Sequence, residues 1–317
     1  TSPRHARSSD GNPRRISTPV WPPQLSTSRT TQIELTGDVK ASGLVTHMVD
    51  AGATDRPEKP TIAEIRAVCQ PEAITGRANS EHWMSDLYQR PISPYLTRAF
   101  VGAGLSANAV TGVMIVVGWA AAASLLIPGL TGGILAALFG QLQMLLDCSD
   151  GEVARWNRSQ SPTGVFLDKI AHYSTEAFIA IALGVRAAGG FDVGSGWILI
   201  GALLAVVLLL NKSLNDFVHV ARAYAGLPRV SESAAVSAPQ PGLIANLRRM
   251  ARFVPFHKVF HSIEMTLLAL VAAVIDALLG DLTATRILVG ALFVFAILAT
   301  IGHAVAILSS NRLRATT

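Results

Sequence analysis

The chain has 317 residues and a formal net charge of +5; half its residues are apolar and 15% are charged, where an ordinary soluble domain carries about 25% charged residues. Aromatics contribute only 6%, so alanine and aliphatic residues supply the hydrophobicity, a profile that suits helices in lipid better than a soluble core. Cys69 and Cys148 cannot build a disulfide framework and lie in no zinc spacing. The basic excess calls for no nucleic-acid partner, because cations flanking membrane spans account for it.

In chain order, residues 1–59 are rich in Ser, Thr, Pro, Arg and Asp without a sustained period, which predicts a disordered cytoplasmic segment. No apolar run follows the charged start, so it does not read as a secretory signal peptide. Residues 60–100 are predicted to be an interfacial amphipathic segment. It opens on a capping box, Thr61 with Glu64, in which each side chain satisfies a free amide of the first turn. Further on, Trp83, Met84, Leu87 and Tyr88 share a helical face flanked by Asp86, Gln89 and Arg90, as in a helix lying on a membrane surface.

Residues 101–317 carry six apolar segments, each about long enough to cross a bilayer. They run near Ser106 to Ile127, Leu130 to Asp147, Pro162 to Gly190, Trp197 to Val220, His261 to Leu279 and Arg286 to Leu308. The predicted class is therefore an all-α integral membrane protein with six spans. Arg90 and Arg98, then Arg155, Arg158 and Lys169, then the Arg222–Lys258 connection, then Arg312 and Arg314 all fall on one side if every segment spans. The positive-inside rule makes that side, and both termini, cytoplasmic, in a multi-pass protein of the plasma membrane. Within the long connection, Leu243 to Phe253 reads as a short basic helix. It would be drawn to anionic lipid by about 1 kcal/mol per cation.

The chemistry concentrates between the second and third segments, in Asp147-Cys-Ser-Asp150-Gly151-Glu-Val-Ala154-Arg155, eight residues, then Gly164-Val-Phe-Leu-Asp168-Lys-Ile-Ala-His172. On helices, Asp147, Asp150 and Ala154 share one face and Gly164, Asp168 and His172 another. A short turn makes the two helices antiparallel, so three carboxylates and an imidazole converge at the cytoplasmic end. Each unpaired acid near a bilayer costs about 3 kcal/mol on insertion scales, and like charges repel. A divalent cation removes both costs, and these hard ligands suit Mg²⁺ or Mn²⁺. Gly151 and Gly164 lack side chains, so a ligand or a neighbouring helix can come close.

This stretch resembles the signature of the CDP-alcohol phosphotransferase family, D-x2-D-G-x2-A-R followed by G-x3-D-x3-D, at seven of its eight fixed positions. The resemblance implies one or two Mg²⁺ or Mn²⁺ ions held by Asp147, Asp150 and Asp168, and a CDP pocket formed by Gly151, Ala154, Arg155 and Gly164. It implies attack by an acceptor hydroxyl on the phosphorus of a CDP-linked lipid such as CDP-diacylglycerol, with CMP leaving. A small alcohol or phospho-polyol would be the acceptor, the setting phospholipid biosynthesis, and membrane lipids the surroundings. Homodimers are common in the family. Ser106-Ala-Asn108-Ala-Val-Thr111 is similar to the family's T-P-N-x-x-T opening of the first span, which would place Asn108 and Thr111 on the cytidine side.

The departure is His172, where the family has a fourth aspartate that ligates metal and acts as general base. A neutral imidazole can also take a proton or ligate metal, so His172 stays with Asp168 among the catalytic candidates and with the three aspartates among the metal ligands. Glu176, one turn further, is positioned to orient the ring or restore the missing charge. Two alternatives remain. One is an inactive relative serving as a membrane assembly subunit, which His172 favours. The other is a small transporter, for which no internal repeat or broken-helix pair is evident. Asn215 and His219 on the fourth segment, one turn beyond Asn211, could line an acceptor pocket or bond between helices.

Overall fold

The structure, a computed structural model, describes residues 56–71, 84–227 and 258–314. Trp83, the expected disorder up to residue 55 and the basic stretch Leu243–Phe253 lie outside the described residues. Helix and connecting turns form every described element, without a strand among the described residues.

Helix α1, Ile62–Cys69, starts at the expected capping box: Thr61 Oγ1 accepts from Glu64 N–H and the Glu64 carboxylate accepts from Thr61 N–H. These bonds hold the Glu64 carboxyl below its usual range, led by the backbone bond to Thr61. After residue 83 the chain resumes with a π-helical turn, Ser85–Gln89, and α2, Arg90–Gly102. The expected single amphipathic face is divided here. Met84 is buried against Met144 and Ile263, with Tyr88 packed beside them, while Leu87 points outward.

The long helices follow in the predicted places: α3, Ala107–Ser124; α4, Gly129–Trp156; α5, Pro162–Ala188; α6, Trp197–Tyr224; α7, Ser262–Leu279; and α8, Thr283–Leu308. Ser106 caps α3 by accepting from Ala109 N–H, and Ser161 caps α5 by accepting from Gly164 N–H, each satisfying a first-turn amide. Five of them, all but α5, are long and apolar enough to cross a membrane. Helix α5 has 27 residues, but Asp168, Lys169, His172, Glu176 and Arg186 dilute its apolar character. Helix α4 runs past Asp147 to Trp156, because nothing in Cys148–Arg155 breaks a helix; the chain turns only where Arg158 takes a left-handed φ of 52°. Asp147 and Asp150 therefore sit inside a continuous helix.

Helix α4 packs on α3 and α7, α5 on α3 and α6, and α6 on α8. The core joining α5, α6 and α8 includes Leu183, Leu204 and Leu292, and a second cluster of Val110, Met114, Leu146, Val153 and Ala171 lies among α3, α4 and α5. Helices α5 and α6 meet backbone to backbone at Gly184 and Gly201: a Cβ on Gly184 would lie 2.8 Å from Gly201 Cα. This is the small-residue contact that lets membrane helices approach closely. Large apolar side chains such as Leu199, Val206, Leu278 and Leu298 point outward, the surface that lipid covers.

Polar groups inside the bundle bond from helix to helix. Asn211 donates to Thr300, and His303 lies 3.2 Å from Asn211 Oδ1 and 3.3 Å from Asn215 Oδ1. Of the two roles open to Asn211 and Asn215, this joins α6 to α8. At the other end, the buried Arg186 donates to the carbonyls of Ile127 and Gly129, tying α5 to the start of α4.

Candidate active site

Two antiparallel helix ends build the site, α4 from one side and α5 from the other, with the start of α3 closing it. A cavity of about 320 Å³ opens between them, lined by Asn108 and Thr111 of α3, Asp147, Asp150, Gly151, Ala154 and Arg155 of α4, and Gly164 and Asp168 of α5. Nine residues named from the sequence thus face one space. Ser159, Gln160, Ser161 and Val165 line it too; they belong to the α4–α5 turn and its continuation, and no residue type there singled them out.

Asp147, Asp168 and His172 bring one ligand atom each to within 4.8 Å of one another. His172 Nε2 lies 3.0 Å from Asp147 Oδ1 and 3.4 Å from Asp168 Oδ1. The ring is thus held between the carboxylates on the face predicted by the i, i+4 spacing. Asp150, though it lines the same cavity, stands outside this trio. Its Oδ2 accepts a 2.6 Å hydrogen bond from Thr111 Oγ1, which ties α3 to α4 and satisfies part of a buried carboxylate. Asn108 Oδ1 lies 3.4 Å from where a Cβ on Gly164 would stand, so the glycine lets the amide reach the cavity.

Gly151 plays the matching part for Arg155. A Cβ there would stand 3.2 Å from one terminal guanidinium nitrogen and 3.5 Å from the other. The guanidinium therefore lies across the bare backbone, with Nε donating to the carbonyl of Cys69 at 2.9 Å. Glu176 is buried and pairs with Lys212 at 2.6 Å. Beside it, Asp216 accepts from Tyr173 and lies 3.2 Å from Lys169 Nζ. His219 and Glu264 are also in the helices, while His261 occupies the N-cap position of α7.

Sequence reasoning passed over a second set of contacts. Glu152, fully buried, accepts from Ser93 and Thr97 hydroxyls at 2.6 Å each and from Gln70 Nε2 at 2.8 Å. The glutamate is a variable position of the signature, and its partners lie 55 to 82 residues away. Only its being an acid on the apolar flank of a membrane helix hinted at partners.

The fold and site define an all-helical membrane protein with an acidic centre, able to hold a metal, at the wall of a cavity. The CDP-alcohol phosphatidyltransferase family model matches residues 105–310, well over half of the chain, and the chain belongs to that family. Its members transfer a phosphatidyl group from a CDP-alcohol in lipid synthesis. A search among curated proteins gives no match. The match begins at residue 105, so α1 and α2 precede it.

Proposed function

We propose that the chain transfers a phosphoalcohol from a CDP-linked lipid, such as CDP-diacylglycerol, to a small hydroxyl acceptor and releases CMP. The observation that carries this reading is the meeting of Asp147, Asp168 and His172 beside a cavity that also holds Asp150, Gly151, Arg155 and Gly164. The donor set fits a hard divalent cation: two carboxylates and an imidazole converge, and ligands on opposite sides of a Mg²⁺ or Mn²⁺ ion stand about 4 Å apart. Asp147, Asp168 and His172 would hold one ion, and Asp150 would contribute from the cavity wall. A bound dication supplies charge neutralisation for the diphosphate and for the departing phosphate.

In this reading Asn108, Gly151, Ala154 and Gly164 shape the space for the cytidine nucleotide. The two terminal nitrogens of Arg155 form a fork suited to phosphate oxygens. The acceptor oxygen forms a bond to the lipid-linked phosphorus, and the bond from that phosphorus to the CMP oxygen breaks, its electron pair leaving with CMP. The hydroxyl proton passes to an oxygen of Asp168, which faces the cavity and whose carboxylate lies next to His172 Nε2. His172, with its Nε2 given to the ion, would hold that carboxylate in position. Glu176 sets the charge balance one turn deeper through Lys212 and has no place in the proton path.

The acceptor approaches from the α5–α6 side, where Lys169, Tyr173 and Asp216 offer mixed donors and acceptors for a polyol. Read as six spans, with α5 as the third and the flanking cations inside, the chain would hold the cavity and both termini at the cytoplasmic face of the plasma membrane. Purified protein incubated with CDP-diacylglycerol, Mg²⁺ or Mn²⁺ and a panel of polyols and phospho-polyols tests the proposal. CMP should appear with at least one acceptor and only with metal. Absence of CMP across the panel would favour the membrane assembly subunit instead.

A further inference from the structure

We infer that α1, which precedes the family-matched region, is a positioning element for the donor nucleotide: Glu152 and Gln70 fix its end so that the Cys69 carbonyl seats the Arg155 guanidinium. This inference rests on the proposed reading of the cavity as a CDP site.

Among the described residues that line the cavity, Arg155 is the cation. A guanidinium binds phosphate well only when its planar fork is held in one orientation. Its Nε is taken by the Cys69 carbonyl at 2.9 Å, and the terminal nitrogens lie over Gly151. The ring of contacts returns to the same helix turn. Cys69 Sγ donates to the Glu152 carbonyl at 3.3 Å. Gln70 Nε2 donates to the Glu152 carboxylate and to the carbonyl of Arg90 at 2.8 and 2.9 Å. Ser93 and Thr97 add two hydroxyl donors to the carboxylate from α2, and Arg90 stands 3.7 Å away. Glu152 therefore links α1, α2 and α4 at a position directly after the pocket's glycine and three before its arginine.

Packing reinforces the bonds: Ile65 and Cys69 are fully buried against Trp156. Arg56 stands 5.4 Å from the Trp156 ring centroid and donates to the carbonyls of Arg155 and Trp156. A helix of eight residues is too short to persist alone in water. Its order comes from these contacts, and it returns that order to one side chain of the site.

The test compares Gln70→Ala and Glu152→Gln with the wild-type full-length chain in lipid nanodiscs. Labelled CDP-diacylglycerol binding is measured in Mg²⁺, CMP release is followed against donor and acceptor concentration, and thermal unfolding is recorded alongside. Gln70→Ala removes one half-buried donor and keeps the buried acid, so it reports even if Glu152→Gln fails to fold. Donor affinity should fall about tenfold in Gln70→Ala, the loss expected for misaligning a charge-assisted contact. The donor KM should rise while the acceptor KM is unchanged. In an Arg155→Ala background the same substitution should change donor binding less than about twofold, since coupled residues are not additive. Unchanged donor binding in Gln70→Ala, or an equal loss with and without Arg155, would overturn the inference. Wild-type protein that binds donor but releases no CMP would instead sink the proposed reaction, with the binding series still deciding the role of α1.

Discussion

At His172 the chain keeps the position of a family aspartate but exchanges its charge. The ring sits between Asp147 and Asp168, so it retains the geometry of a ligand while adding no negative charge. His172→Ala should lower the CMP-release rate by about 100-fold, the upper end of the range for disturbing the support of a metal site. His172→Asp should stay active and bind Mn²⁺ more tightly, because a third carboxylate offsets more of the ion's charge. Both follow from CMP assays across a Mn²⁺ titration; equal rates in all three proteins would remove His172 from the chemistry. Cys69 makes a separate prediction. Burial first, and the neighbouring Glu152 second, push its thiol up to about 11. The pKa is raised, so at pH 8 the group stays a neutral thiol, and the thiolate is the reactive form. Cys69 and Cys148, both buried, should resist iodoacetamide at pH 8 in folded protein and react on unfolding, as read by mass spectrometry.

At the scale of helices, the pair of buried Glu176 and partly buried Lys212 joins α5 to α6. Removing one partner leaves a charge in the bundle, at a cost of about 3 kcal/mol. Lys212→Met should therefore lower the thermal unfolding midpoint clearly. Adding Glu176→Leu should restore much of it, and equal midpoints for the single and double variants would contradict a buried pair. The helices themselves were legible because long apolar runs bounded by Ser106, Ser161, Gly189 and Gly280 leave little choice of ends. The motif faces were legible because i, i+3 and i, i+4 spacing fixes them. The continuation of α4 to Trp156 was harder to read, since apolarity marks where lipid ends and not where a helix ends. The Glu152 network was hidden because its partners come from distant segments, and spacing along one helix carries no information about a neighbour. Glu176 shows the same limit: the i+4 relation to His172 is visible in the sequence, while Lys212, 36 residues on, is what it bonds.

For the whole molecule, the proposed six spans imply an orientation that labelling can test. With six spans, Asp192 and Asp281, in the turns after α5 and α7, lie on the face opposite Gln160. Asp192→Cys and Asp281→Cys should react with an impermeant maleimide from outside intact cells, and Gln160→Cys only after lysis. Labelling of Asp192→Cys and Gln160→Cys from the same side would mean that α5 does not cross.

The claim on which the chemistry depends is that Asp147 and Asp168, with His172, hold a divalent ion, and Mn²⁺ binding followed by electron paramagnetic resonance reads it directly. The wild-type chain should take up Mn²⁺ saturably, with Mg²⁺ competing, and Asp147→Asn combined with Asp168→Asn should abolish that uptake. Equal uptake by the wild-type and doubly substituted proteins would contradict it.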